Sequence, residues 1–112
     1  MKYNSFKHLD DYVMGPTIKR ELLGYQEGEN GYTVNRLYAP KGPGAAPHSH
    51  PHLQFNYMLK GKGDFLVGDE VVTVNPGDTI QIDSNVPHTF VSFAEDSEWL
   101  EFFTPEREDF KP

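Results

Sequence analysis

Hydrophobic and polar residues alternate along this chain in short runs of the kind that form β-strands. Turn signals rich in Gly, Pro, Asn and Asp separate the runs, at residues 29–31, 40–44, 61–63, 68–70 and 75–77. The pattern predicts strands over residues 17–26, 32–39, 47–50, 54–60, 63–67, 70–75, 79–83, 88–94 and 98–104. Residues 6–14 are expected to form a short irregular turn or helix, and 106–112 a loosely held charged tail. The sequence therefore predicts an all-β protein.

Composition agrees with this prediction and narrows the function. The 112 residues, with eight Phe, six Tyr, one Trp, nine Pro and ten Gly, suit one β-rich domain spanning 1–112. The absence of cysteine excludes thiolate metal ligands and a cysteine nucleophile. A net charge of -7 argues against nucleic acid or an anionic membrane as partner. No apolar run is long enough for a membrane span, and the first residues lack the apolar stretch of a secretory signal, so we expect a cytoplasmic protein.

Three histidines and a glutamine have the spacing of one metal site. His48, His50 and Gln54 share even parity, so on a strand all three can project to one face. His88, in the second glycine-marked segment, would supply the fourth ligand. Imidazole nitrogens combined with an amide oxygen suit a divalent Zn, Fe, Ni or Mn ion.

Two other interpretations of the histidines stay open at this level. His52 shares the parity of His48 and His50 and could replace one of them, although the kink expected at Pro51 and the distance from Gly42 favour the first two. In that case His52 lies at the rim of the site. Alternatively, the His/Pro segment is a solvated loop that binds metal only adventitiously, and Gln54 and His88 are ordinary polar positions.

The order of these residues resembles a known family. The first motif has the pattern G-x5-H-x-H-x3-Q-x6-G and covers 42–61. The second covers 77–92 and contains S-N-V-P-H. Together they are similar to the two motifs of the cupin superfamily. The resemblance implies a single-domain jelly-roll β-barrel with a metal ion inside. Cupins usually carry Glu at the position of Gln54, so this chain departs from the common ligand set.

A carboxyl group stands between two aromatic residues in the last predicted strand. Period-2 alternation puts Trp99, Glu101 and Phe103 on one face, and Leu100 and Phe102 on the other. If the first face looks into the barrel, desolvation would raise the pKa of Glu101 and suit it to proton transfer. The alternative is that Glu101 lies on an edge and faces water.

The segment that follows resembles one group of cupins. The string F-T-P-E-R-E-D-F over 103–110 is similar to the ending of the small cupins of bacterial pectin and alginate breakdown, which convert 4,5-unsaturated uronates into linear, ketonised sugars. The resemblance implies that Glu101, Phe103 and Arg107 line a substrate pocket, although the family's acid is typically Asp. The alternative for Arg107 is a surface ion pair with a neighbouring acidic residue.

The chemistry of the residues points the same way. Three neutral imidazoles and a neutral amide leave the charge of the ion uncompensated, which favours polarising a carbonyl or hydroxyl oxygen. Glu101 would move a proton, and Arg107 would bind the carboxylate of an acidic sugar. Two alternatives remain: a cupin dioxygenase that uses Fe or Ni, and a non-catalytic cupin that binds a small molecule.

The predicted strand over 54–60 also indicates an assembly. Phe55, Tyr57 and Leu59 have the parity opposite to that of Gln54 and therefore point outward. An apolar outer face usually packs against another sheet or subunit, so we expect a homodimer.

Overall fold

The computed structural model describes Tyr3, the backbone of Leu9–Asp11, and residues 17–112. Its strands are β1 (Leu9–Asp11), β2 (Lys19–Gln26), β3 (Tyr32–Ala39), β4 (Gly42–Pro43), β5 (Leu53–Lys60), β6 (Gly63–Val67), β7 (Glu70–Val74), β8 (Thr79–Ile82), β9 (His88–Phe93) and β10 (Ser97–Thr104). A short 3-10 helix, η1 (Glu108–Phe110), follows β10. Within these residues, no helix has the length and apolar character needed to span a bilayer.

The strands form two antiparallel sheets that pack face to face. One sheet has the order β1-β2-β3-β10-β5-β8 and the other the order β4-β9-β6-β7. Burial alternates along β3, β5 and β10, as expected for strands with one face in the core. The inward side chains of both sheets form one hydrophobic core, which includes Leu37, Met58, Phe65, Ile82, Phe90, Trp99 and Phe103. The all-β prediction is confirmed.

The register of the central strand β10 brings polar side chains together inside the barrel. Glu101 lies opposite Asn35 of β3 on one side and opposite Asn56 of β5 on the other. Phe103 lies opposite Gln54. Directly opposed residues of antiparallel strands place their side chains on the same face, so these groups share the interior.

The turn that closes the first motif needs its glycine. Gly61 has a φ of 90°, in the left-handed region. A Cβ at this position would lie 2.3 Å from the Ser97 hydroxyl and 2.4 Å from the carbonyl oxygen of Asp96. The close approach of the 61–62 turn to the start of β10 therefore excludes a side chain here.

The predicted strand over 47–50 is wrong. Only an isolated bridge occurs there, in which His48 and His88 exchange backbone hydrogen bonds of 3.2 and 2.9 Å. Pro47 and Pro51 flank the segment and lack the N–H groups that a longer ladder would need. The paired strand in this part of the chain is the two-residue β4 instead.

The expectation of a loose tail is also wrong. Arg107 and Phe110 are 9% and 5% exposed, and the Arg107 amide donates to the Thr33 hydroxyl at 2.8 Å. The aromatic and guanidinium groups pack over the end of the barrel. The high content of charged residues was therefore not a sign of a loose segment. Of the turn or helix predicted over 6–14, only Leu9–Asp11 is described, and it is a strand paired with β2; the other positions lie outside the described residues.

The outer face of the six-stranded sheet carries an apolar row along β5. Phe55 and Tyr57 are 40% and 39% exposed, and Leu59 is half-buried. The Phe55 ring meets the ring of Phe102 edge-on, with centroids 6.2 Å apart. The side chains have the predicted direction, and the dimer stays a prediction.

Candidate metal centre

Three histidines form a compact cluster inside the barrel. His88 begins β9, and its backbone bridge to His48 holds the loop before β5 against this strand. The amide of Asn85 donates to the His50 carbonyl at 2.7 Å, which fixes the other end of the same loop. One ligand nitrogen from each of His48, His50 and His88 lies within 4.8 Å of the others.

Backbone carbonyls set the tautomers of two of the rings. His50 Nδ1 lies 3.1 Å from the His52 carbonyl oxygen, and His88 Nδ1 lies 2.8 Å from that of Val86. Because a carbonyl oxygen only accepts, both rings carry the proton on Nδ1 and keep a lone pair on Nε2. The Nε2 atom of His88 is buried and has no hydrogen-bond partner among the described residues. This arrangement is typical of metal-binding histidines.

Gln54 lies beside the cluster, where it could supply a fourth metal ligand. The side chain is 2% exposed, and its Oε1 atom lies 2.9 Å from His50 Nε2. With the His50 proton on Nδ1, two lone-pair atoms face each other at this distance, and a cation between them would relieve the repulsion. Two ligands about 2.1 Å from one ion and at right angles are about 3.0 Å apart, so the pair fits a metal ion.

Burial keeps the three imidazoles neutral. It lowers the pKa of His48 to about 4, with a smaller effect from the neighbouring His88 and His50. Burial also lowers the pKa of His50 and of His88. Neutral imidazoles are the form that binds a metal ion, so the cluster is ready for one at neutral pH.

His52 lies outside this cluster. Its Nε2 atom is 3.1 Å from the Glu106 carbonyl oxygen, so the ring tethers the segment after β10. The three residues that the geometry groups are His48, His50 and His88, and the alternative pairing of His50 with His52 is wrong. His52 contributes to the site through its carbonyl, which orients His50.

Glu101 projects into the barrel rather than toward water. It is 7% exposed, and its Oε2 atom accepts a hydrogen bond of 2.9 Å from the indole Nε1–H of Trp99. Its Oε1 atom is buried without a hydrogen-bond partner among the described residues. Burial raises the pKa of Glu101 to about 7, against the opposing effects of the Trp99 hydrogen bond and the charge of Arg107. At neutral pH this carboxyl can therefore give or take a proton.

Phe103 and Arg107 border the cluster. The Phe103 ring, 2% exposed, lies 5.6 Å from the His50 ring. The Arg107 guanidinium lies over the rings of Phe103 and Phe110, 5.0 and 4.7 Å from their centroids. Its Nε and Nη2 atoms donate to the two carboxylate oxygens of Asp109 at 3.0 and 2.7 Å. The expected ion pair is present, but the guanidinium is buried rather than on the surface.

The cavity between these groups is small. Gln54, His48, His88, Trp99 and Glu101 are among the residues that line a space of about 20 Å³. This volume accommodates an ion or roughly one water molecule. A sugar ring does not fit inside it, so a substrate would bind at the mouth or displace side chains.

Part of this polar interior was not predicted from the sequence. Asn35 and Asn56 are 0% and 4% exposed and flank Glu101. Arg20 Nη1 approaches Asn35 Oδ1 at 3.4 Å, and its guanidinium lies 4.4 Å from the Phe110 ring centroid. The parity shared with Gln54 could have identified Asn56, whereas nothing in the local sequence indicates Arg20.

The architecture and the histidine cluster agree with the sequence comparison. The family described as "Cupin domain" matches residues 36–103, more than half of the 112-residue chain. This chain therefore belongs to the cupin family, as its two motifs predict.

Individual relatives refine the comparison. The "Pectin degradation protein KdgF" of Dickeya dadantii (strain 3937) is 29% identical over 98 residues, which are 87% of this chain and 86% of that protein. The structure of KdgF from Halomonas sp. superposes with a TM-score of 0.83 at 23% identity, covering 97% of this chain and 100% of that one. An RmlC-like cupin from Shewanella frigidimarina NCIMB 400 gives a TM-score of 0.84 at 24% identity, covering 99% and 97%. At these identities the two structures show the fold alone.

Proposed function

We propose that this cupin binds a divalent metal ion through His48, His50, Gln54 and His88, and catalyses the ring opening and tautomerisation of 4,5-unsaturated uronates. The observation that carries the proposal is the presence of the buried Glu101 carboxyl in the same cavity as His48, His88 and Gln54. The similarity to a pectin degradation protein supports the substrate class.

The bound ion would act as a Lewis acid that polarises the sugar oxygens. The four ligands are neutral, so the ion keeps its double charge for the substrate. Burial supports this role because it holds the imidazoles in their unprotonated form.

Glu101 would move the proton that the isomerisation requires. When the ring opens, the anomeric hydroxyl loses a proton and the bond from the anomeric carbon to the ring oxygen breaks. The electron pair of that bond stays on the former ring oxygen as an enolate. The enolate becomes a ketone when C4 of the sugar gains a proton in place of the one lost from the anomeric hydroxyl, so the reaction needs neither oxidant nor reductant. With Oε2 held by the Trp99 indole, Oε1 is the oxygen that would exchange the proton.

Arg107 would bind the uronate carboxylate, with Phe103 shaping the approach. Asp109 pairs with the Nε and Nη2 atoms of the guanidinium, so the substrate carboxylate would bind beside this ion pair. The positive charge and the buried aromatic surface together favour an anionic ring at the mouth of the cavity.

The direct test uses the metal-loaded protein and unsaturated galacturonate or guluronate. We expect the ultraviolet absorbance of the conjugated double bond to disappear, and Glu101→Gln to slow this by about 10²–10⁴-fold while keeping its metal. An unchanged absorbance with both sugars, together with oxygen consumption in the presence of a phenol or diketone, would instead establish a dioxygenase.

A further inference from the structure

The orientation of the Gln54 side chain is controlled by one buried contact. Gln54 Nε2 donates a hydrogen bond of 2.9 Å to Asn56 Oδ1, two residues along β5. Both side chains are almost completely buried, at 2% and 4% exposure. Bulk solvent therefore does not reach this hydrogen bond, and losing it would leave a buried amide group without its protein partner.

This contact decides which end of the amide faces His50. A carboxamide has one accepting oxygen and one donating NH₂ group, and only the oxygen can bind a metal ion. With the NH₂ group held by Asn56, the Oε1 atom lies 2.9 Å from His50 Nε2. In the reversed orientation Gln54 would present N–H groups to the ion, and its oxygen would face the oxygen of Asn56.

We infer that Asn56 is a positioning residue for the metal centre: it holds Gln54 so that the amide oxygen faces the ion. The inference rests on the metal site proposed above and adds a residue that acts through Gln54 rather than on the ion or the substrate. Groups that orient metal ligands in this way typically contribute about 10–100-fold to metal affinity.

The chain provides a matched control. Asn35 is also a fully buried asparagine, and it lies opposite Glu101 from the other neighbouring strand. Its described hydrogen bond is with Arg20 and not with a proposed ligand. An effect that comes only from removing a buried amide beside Glu101 should therefore appear equally at Asn35 and Asn56.

The test titrates metal-free protein with Co²⁺ alone and follows binding by the visible absorbance of the bound ion and by competition with a chelator. Asn56→Leu should weaken Co²⁺ binding by about 10–100-fold. Asn56→Asp, which still accepts the Gln54 hydrogen bond, should bind at least as tightly as the wild type, and Asn35→Leu should bind normally. In a Gln54→Ala background, Asn56→Leu should have no further effect. Should Asn56→Leu fail to fold, Asn56→Ala, which needs less room, carries the same expectation.

The possible failures are distinct. Unchanged binding by folded Asn56→Leu, an equal loss in Asn35→Leu, or a further loss in the Gln54→Ala background would overturn the role of Asn56 and leave the metal centre standing. A wild-type protein that does not bind Co²⁺, Ni²⁺ or Zn²⁺ would instead overturn the proposed metal centre. Activity is not the readout, because a charge introduced opposite Glu101 would alter that carboxyl as well.

Discussion

The indole N–H of Trp99 donates to the Glu101 carboxylate at 2.9 Å, between two residues on the same face of β10. This hydrogen bond stabilises the ionised form of a carboxyl group that burial otherwise keeps protonated. The pKa of about 7 is the balance between burial, which raises it, and this hydrogen bond together with the charges of Arg107 and Arg20, which lower it.

Replacing Trp99 by Phe should raise the pKa of Glu101 above about 7, because the donor that favours the carboxylate is lost. In the pH profile of kcat/KM, the limb that reports the titration of Glu101 should move to higher pH. Phe93→Leu is the matched control, since this ring stacks on Trp99 with centroids 5.3 Å apart but has no N–H group to donate to Glu101. An equal shift in both variants would show that packing, rather than the hydrogen bond, sets the pKa.

Glu101→Gln should stabilise the metal-free protein at pH 8. The folded-state pKa of about 7 exceeds the ordinary value of 4.5, so the folded state binds more protons between these values and its stability decreases as the pH rises through that window. Above pH 7 the free-energy cost of keeping the ionised carboxyl buried is fully present, on the order of 3 kcal/mol. Denaturant unfolding of both proteins should show a large difference at pH 8 and almost none at pH 4, where both side chains are neutral. A pH-independent difference would contradict the buried, titrating carboxyl.

Removing a clustered histidine should remove the metal. His50→Ala and His88→Ala are expected to retain little or no metal on elemental analysis after purification without added metal. His52→Ala should retain the wild-type content, because this ring contacts the Glu106 carbonyl instead of the cluster. Full metal content in the first two variants would refute the site.

Arg107→Ala should mainly raise KM for the unsaturated uronate, since a carboxylate clamp contributes binding in the ground state and the transition state alike. Asp109→Asn should produce a smaller rise in KM, because the guanidinium keeps its charge and loses only the ionic part of its contact with residue 109. Lys111→Ala disrupts an exposed pair with Glu27 and should leave both constants unchanged. A loss confined to kcat would argue that Arg107 acts on the transition state.

The apolar outer face predicts a dimer. Light scattering at micromolar concentration should give twice the mass of the chain, and Phe55→Glu should shift the protein toward the monomer. Val71→Glu is the control, because Val71 is 58% exposed on the other sheet. A monomeric wild type would refute the assembly.

Local pattern in the sequence was enough to predict the faces of the strands. Period-2 alternation correctly predicted that Gln54 and Glu101 point inward and Phe55 outward. It could not predict the contacts made by Arg107, because these depend on how the segment after β10 folds back over the barrel. The same limit applies to Asn35, whose position beside Glu101 depends on the register between β3 and β10, more than sixty residues apart.

The position of β10 has a consequence for how the chain folds. It is the last strand in the sequence, yet it lies in the middle of its sheet, between β3 and β5. During synthesis β3 and β5 cannot be joined in one sheet until β10 has emerged. Glu101 and Phe103 also lie on this strand, so their side of the site forms only then. Such long-range pairing is typical of slow folding. Ribosome-bound chains that stop before residue 97 should therefore expose the edges of β3 and β5 and be prone to aggregation.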